Sequence, residues 1–301
     1  MLELIVYGIV FGSIISLGAI GLTLVYGIVR FANFAHGDLM STGAYIALLM
    51  VTWVLTWIPD TTFGQLSFGW RMLIAFPVAM FVVACVAIAI DRILYQRFRA
   101  KKSHAVLMMM SSLGAAFILR MLILIFWGAD SLFYRPGILR PALELPLGVK
   151  IRPDQILILV TVFSLVISLH LFLQKTKFGK AMRATADNME LALVSGIDTE
   201  RVIILTWGIG GALAAAGGIL YAIDVQIHPY MGWNFLIPLF AATILGTVGN
   251  IYGALVGGLV IGVAQQVSTA FLMPTYKPAV AFMLMILILL VRPKGIFGGK
   301  D

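Results

Sequence analysis

Apolar residues fill long, nearly unbroken stretches of the chain, and polar residues gather in the short intervals between them. Stretches of about 20 residues, long enough to cross the hydrocarbon core of a bilayer, begin near Leu2, His36, Trp70, His104, Asp154, Val202, Ile251 and Tyr276. A ninth, 236–248, is short. At about 1.5 Å per residue it reaches about 20 Å, so it must tilt, break or finish its crossing through Gly249 and its neighbours. The pattern predicts an all-α polytopic membrane protein with about eight full spans plus one short or broken span. The first stretch is preceded by no Lys or Arg and lacks a small-residue cleavage site, which predicts a retained span and not a removed signal peptide. No linker divides the chain, so residues 1–301 read as a single transmembrane domain.

Composition agrees with that reading. With 61% apolar and 11% charged residues, the chain lacks the charge that a water-facing surface needs. The net charge of +8 is accounted for by the excess of Lys and Arg that cytoplasmic loops carry, which removes nucleic acid as a partner. If nine crossings alternate, fourteen basic residues fall on one side: Arg30, Arg92, Arg97, Arg99, Lys101, Lys102, Lys175, Lys177, Lys180, Arg183, Arg201, Arg292, Lys294 and Lys300. The other side holds six, Arg71, Arg135, Arg140, Lys150, Arg152 and Lys277. This asymmetry predicts an N-terminus outside and a cytoplasmic C-terminus. The single cysteine, Cys85, lies in an apolar run and reads as a buried thiol.

Breaks in the apolar pattern mark where chemistry could sit. The first run is interrupted at RFANFAHGD (30–38) and the sixth at DVQIHPYMG (224–232), one crossing inward and the other outward, which predicts an inverted repeat with its pathway at the matching breaks. Asn33, His36 and Asp38 form the densest polar cluster at a membrane boundary; they read either as caps of a helix start or as groups bordering a water-filled cavity. Arg120 lies inside an apolar run, where a charge marks a function by default; snorkelling to the outer interface and pairing with another subunit compete with substrate contact. Gly249, Gly253 and Gly257, spaced by four, predict close helix packing, within the chain or between chains.

Two loops stand out. Residues 128–153 contain Pro136, Pro141, Pro146 and Pro153, which predict an extended outer segment. Residues 175–201 read KTKFGKAMRATADNMELALVSGIDTER. Here 186–195 suits a short amphipathic helix, with Met189, Leu193 and Gly196 on one face beside Ala192, and Glu190 at the rim. Thr185 or Asp187 would cap its start and Gly196 its end. His36, His104, His170 and His228 show no metal-like pairing, and neither a phosphate-binding G-x-x-x-x-G-K-[ST] nor a G-x-S-x-G occurs. The chain reads as neither a metalloprotein nor an enzyme.

Four segments together carry a resemblance: TLVYGIVRFANFAHGDLMSTGAY (23–45), KFGKAMRATADNMELALVSGID (177–198), LGTVGNIYGALVGGLVIG (245–262) and VRPKGIFG (291–298). In this order they resemble the high-affinity branched-chain amino acid importer permeases of the LivH type. The E-x-A-x-x-x-G spacing of Glu190, Ala192 and Gly196 resembles the loop by which such permeases dock on their ATPases, with Leu191 standing where the common motif has alanine. The resemblance implies a subunit of an ATP-binding-cassette importer in the bacterial plasma (inner) membrane. Its partners would be a second related permease (LivM type), two cytoplasmic ATPase subunits that bind ATP and Mg, a periplasmic substrate-binding protein and membrane lipid. The cargo implied is a branched-chain or related small amino acid, or an amide- or urea-like solute. A stand-alone secondary transporter is the competing class, and it needs an ion-coupling acid such as Asp38 or Asp224.

Overall fold

The computed structural model describes residues 1–59, 61–135, 142–145 and 149–298. Among the described residues eight helices are long and apolar enough to cross a membrane, and a shorter apolar one joins them. Helix α1 (Leu2–Val29) forms the axis of the bundle and is buried along most of its length. Helices α2 (Ala35–Leu49), α9 (Thr199–Asp224), α10 (Met231–Leu245) and α11 (Ile251–Ser268) pack around it. Outside these lie α3 (Trp70–Ile90), α5 (Ala105–Trp127), α6 (Pro153–Lys175) and α12 (Lys277–Val291), which turn most of their surface outward. Cys85, expected to be buried, is exposed on α3, because only one side of that helix is covered.

Small residues set the inner packing. Gly8 and Gly12 of α1 meet Gly258 and Gly262 of α11 so closely that a Cβ at any of the four would strike the opposing helix backbone. The Ser16 hydroxyl donates to the Leu255 carbonyl across the same seam at 2.8 Å. Gly253 and Gly257 pack in the same way on Gly246 and Ala242 of α10. Gly249 lies in the α10–α11 turn with φ +87°, a backbone that favours glycine. Its N–H donates to the Thr23 hydroxyl of α1 at 2.8 Å. The glycine ladder is therefore spent inside the chain, where lipid supplies no hydrophobic drive and close backbone approach must.

The short run has a structural reason. Helix α10 starts at Met231 and has 15 residues, about 22 Å at 1.5 Å per residue. Its start abuts the start of α2: Gly37 and Gly232 touch through their backbones, and the Gly232 N–H donates to the Ser41 hydroxyl at 2.8 Å. The start of α2 is itself well inside the bundle, since His36 bonds to the carbonyl of Gly18, midway along α1, at 2.9 Å. Residues 30–34 thus fold back from the end of α1, residues 225–230 follow the end of α9, and the starts of α2 and α10 meet; α10 has 15 residues, whereas α2 continues through a π-helical turn to Val54. These are the two breaks read from the sequence as an inverted repeat.

Loop 128–153 holds extended chain in its described residues. It contains an antiparallel pair, β1 (Leu143–Leu145) and β2 (Val149–Ile151), and Pro153 opens α6 at a position where a missing N–H costs nothing. Pro136, Pro141 and Pro146 lie outside the described residues. At this end of the bundle Arg152 holds the Asp224 carboxylate and carbonyl, and Gln155 adds a bond to the same carboxylate at 3.0 Å.

Candidate functional site: the paired helix starts and the loop helices

Arg30 ends α1 in the left-handed region (φ 57°), and the chain then returns into the bundle with its polar groups engaged one by one. Asn33 is fully buried; its Oδ1 accepts from the Ala35 N–H at 3.1 Å and from the Tyr95 hydroxyl at 3.3 Å. The Phe34 N–H donates to Ser112 of α5 at 3.0 Å. Asn33 therefore fastens the chain just before α2, and the His36 ring ties the first turn of α2 to the Gly18 carbonyl of α1; both side chains are buried. Asp38 lies in the first turn of α2 and is met by Arg120 in a two-point ion pair, Nε to Oδ1 at 3.0 Å and Nη2 to Oδ2 at 2.9 Å. Both are buried, at 1% and 4% exposure.

Arg120 is thus buried and paired within the chain. Its guanidinium lies 4.8 Å from the Trp233 ring centre, 5.5 Å from Phe117 and 5.9 Å from Tyr230. These three rings are about half exposed, so they form an aromatic cover between the ion pair and the outer surface of the chain. Sequence reasoning passed over the aromatic pair of Tyr230 and Trp233 beside the second break. It also passed over Asp91, a carboxylate within an apolar run and for that reason a visible signal.

Loop 175–201 forms two helices instead of one. Thr176 caps α7 (Lys177–Asp187) by accepting from the Gly179 N–H at 3.0 Å. Asn188 breaks the helix and caps α8 (Met189–Val194), accepting from the Leu191 N–H at 3.0 Å. Neither Thr185 nor Asp187 starts α8, because both belong to α7. Gly196 (φ +84°) does end it: its N–H bonds to the Leu193 carbonyl and the Ile197 N–H to the Ala192 carbonyl, both at 3.0 Å, a two-bond helix stop.

The exposed face of α8 also departs from the expected one. Ala192 is buried and Met189 packs on the core, whereas Leu191, Leu193 and Val194 are exposed, at 60% or more. At 100° per residue the outward arc runs Leu193, Glu190, Val194, Leu191, so Glu190 sits within the apolar face and not at its rim.

An all-α bundle of long apolar helices, with two helix starts meeting inside it, defines a polytopic membrane protein. Residues 4–289 match the family described as the permease component of branched-chain amino acid transport systems, and the chain belongs to that family. It is 33% identical to the high-affinity branched-chain amino acid transport system permease protein LivH of Escherichia coli (strain K12), over 98% of this chain and 94% of the relative. Identity is 34% with the permease BraD of Pseudomonas aeruginosa, over 100% and 96% of the two chains. A probable LivH of Methanocaldococcus jannaschii is 30% identical over 96% and 90%. Among solved structures, PsaBC from Streptococcus pneumoniae in complex with Fab aligns over 98% of this chain and 93% of that one, with a TM-score of 0.49 and 13% identity. The chain is accordingly a multi-pass inner-membrane permease component.

Proposed function

We propose that the chain is a membrane-spanning subunit of an ATP-binding-cassette importer that moves a branched-chain or related small amino acid into the cytoplasm. The observation that carries this reading is α8: three large apolar side chains stand exposed around Glu190 on a doubly capped helix in a charged loop. Such a face has little reason to be apolar unless a partner covers it, and a groove in a protein partner is the usual home of a short amphipathic helix. The chain carries no phosphate-binding motif of its own, so ATP and Mg belong to the two ATPase subunits that α8 would engage. The fourteen-to-six distribution of basic residues supports a cytoplasmic position for this loop and for the C-terminal tail. A second, LivM-type permease and a periplasmic substrate-binding protein complete the assembly.

The pathway would pass the aromatic cover of Trp233, Tyr230 and Phe117, where the starts of α2 and α10 meet above the Asp38–Arg120 pair. Asp38 is neutralised by Arg120, and Asp224 is held by Arg152 and Gln155. Neither acid is left for the ion coupling that a stand-alone secondary transporter requires. The test is uptake of labelled leucine into proteoliposomes holding the chain with its partner permease and ATPases. Uptake should need both ATP and the binding protein; uptake by this chain alone, driven by an ion gradient, would overturn the reading.

A further inference from the structure

Six residues connect the α8–α9 joint to the start of α2. Helix α8 ends at Gly196 and α9 is capped by Asp198, whose Oδ1 accepts from the Arg201 N–H at 3.1 Å, so the two helices are joined by a short segment fixed at both ends. Glu200, in the first turn of α9, bonds to Arg99 at 3.5 Å. Arg99, in the short helix α4 (Gln96–Ala100), holds the buried Asp91 through both carboxylate oxygens, at 2.5 and 3.0 Å. Asp91 opens, and Tyr95 closes, a five-residue π-helical turn at the end of α3. Such turns are rare and recur at functional sites.

From there the line enters the bundle. The Tyr95 ring stacks on Trp207 of α9, with centres 5.1 Å apart and planes 14° from parallel. Its hydroxyl donates to Asn33, which in turn holds the Ala35 N–H at the start of α2. Three buried donors along this line have no partner: Arg99 Nε, Trp207 Nε1 and Asn33 Nδ2. Among the described residues only two further buried side-chain atoms share that condition, Tyr45 Oη and Gln265 Oε1. An unmade buried hydrogen bond costs free energy, so each of these donors gains from any rearrangement that brings an acceptor within reach.

We infer that Glu200, Arg99, Asp91, Tyr95, Trp207 and Asn33 act as one positioning unit that transmits movement of α8 to the start of α2, at the meeting point with α10. The unit rests on the reading of α8 as the ATPase contact. It touches no nucleotide and no solute; it sets how much solute moves per ATP spent.

Uptake and ATP hydrolysis are measured together in proteoliposomes of the complete complex, for the wild type and for Tyr95→Phe, Glu200→Gln and the double variant. Tyr95→Phe keeps the stacked ring and removes only the hydroxyl held by Asn33, and Glu200→Gln lies at the surface, so both insert normally. Each should hydrolyse ATP at close to the wild-type rate while solute moved per ATP falls by about fivefold or more. The double variant should be no worse than the poorer single one, as for members of one unit. Unchanged solute per ATP in both single variants overturns the unit, and so does uptake falling in step with hydrolysis, which is what lost packing alone produces. A wild-type complex without ATP-driven uptake overturns the importer reading, and the unit with it.

Discussion

Asp38 and Arg120 are 82 residues apart and were each legible in the sequence as a charge where lipid tolerates none. What the sequence withheld was that they belong to one another, because the pairing depends on α5 lying beside the start of α2. A buried pair is costly to break and cheap to replace as a whole: removing one partner strands the other, at about 3–5 kcal/mol, whereas an apolar pair of similar volume is often neutral. Arg120→Met alone should therefore lower the melting temperature of the detergent-solubilised complex sharply. The double variant Asp38→Leu with Arg120→Met should recover most of it, and two additive losses would show that the charges act separately. Asn33 and His36 were legible as a polar cluster beside a helix start; Asn33 holds the Ala35 N–H, whereas the His36 ring bonds to the Gly18 carbonyl of α1. Their burial follows from the fold-back of residues 30–34, which no local pattern announces.

Among the elements, α8 shows what local chemistry can and cannot reveal. Gly196 was readable as a helix stop because only glycine enters the left-handed region without penalty. The start was not readable, since Thr185, Asp187 and Asn188 are all competent caps and the choice among them is made by α7, itself started by Thr176. Asn188→Ala should cost about 1 kcal/mol and loosen α8 without displacing α7, seen as faster amide exchange confined to 189–194. Glu190→Lys reverses the charge within the exposed apolar arc. It should leave the permease pair inserted and weaken capture of the ATPases in a pull-down, while full retention of the ATPases would place their contact elsewhere. The short α10 was legible by length alone. Its explanation, a start inside the bundle, needed the Gly37–Gly232 contact.

For the whole molecule, the apolar periodicity was sufficient to count the spans, because lipid imposes a length on each of them. Their arrangement is set by glycines whose partners are remote in sequence. The ladder through Gly253 and Gly257 could have served a partner subunit, and the structure gives it to α10. Gly257→Leu should accordingly prevent folding of this chain even when its partner permease is co-expressed, with loss of membrane-inserted protein on a blot. A variant that inserts normally yet fails to recover with its partner would return the ladder to an intersubunit role.

The tail offers a last consequence. Ile296 donates its N–H to the Leu245 carbonyl at the end of α10 at 2.9 Å, and the Thr247 hydroxyl bonds to the Lys294 carbonyl at 2.9 Å. Helix α10 is thus finished by residues translated some fifty positions later. A nascent chain halted at Val291 holds every span and still lacks the clasp, leaving α10 with an open end. Translation order then becomes a checkpoint: full-length and Val291-truncated chains should enter the membrane equally in a pulse label, and the truncated one should be cleared by membrane proteases during the chase.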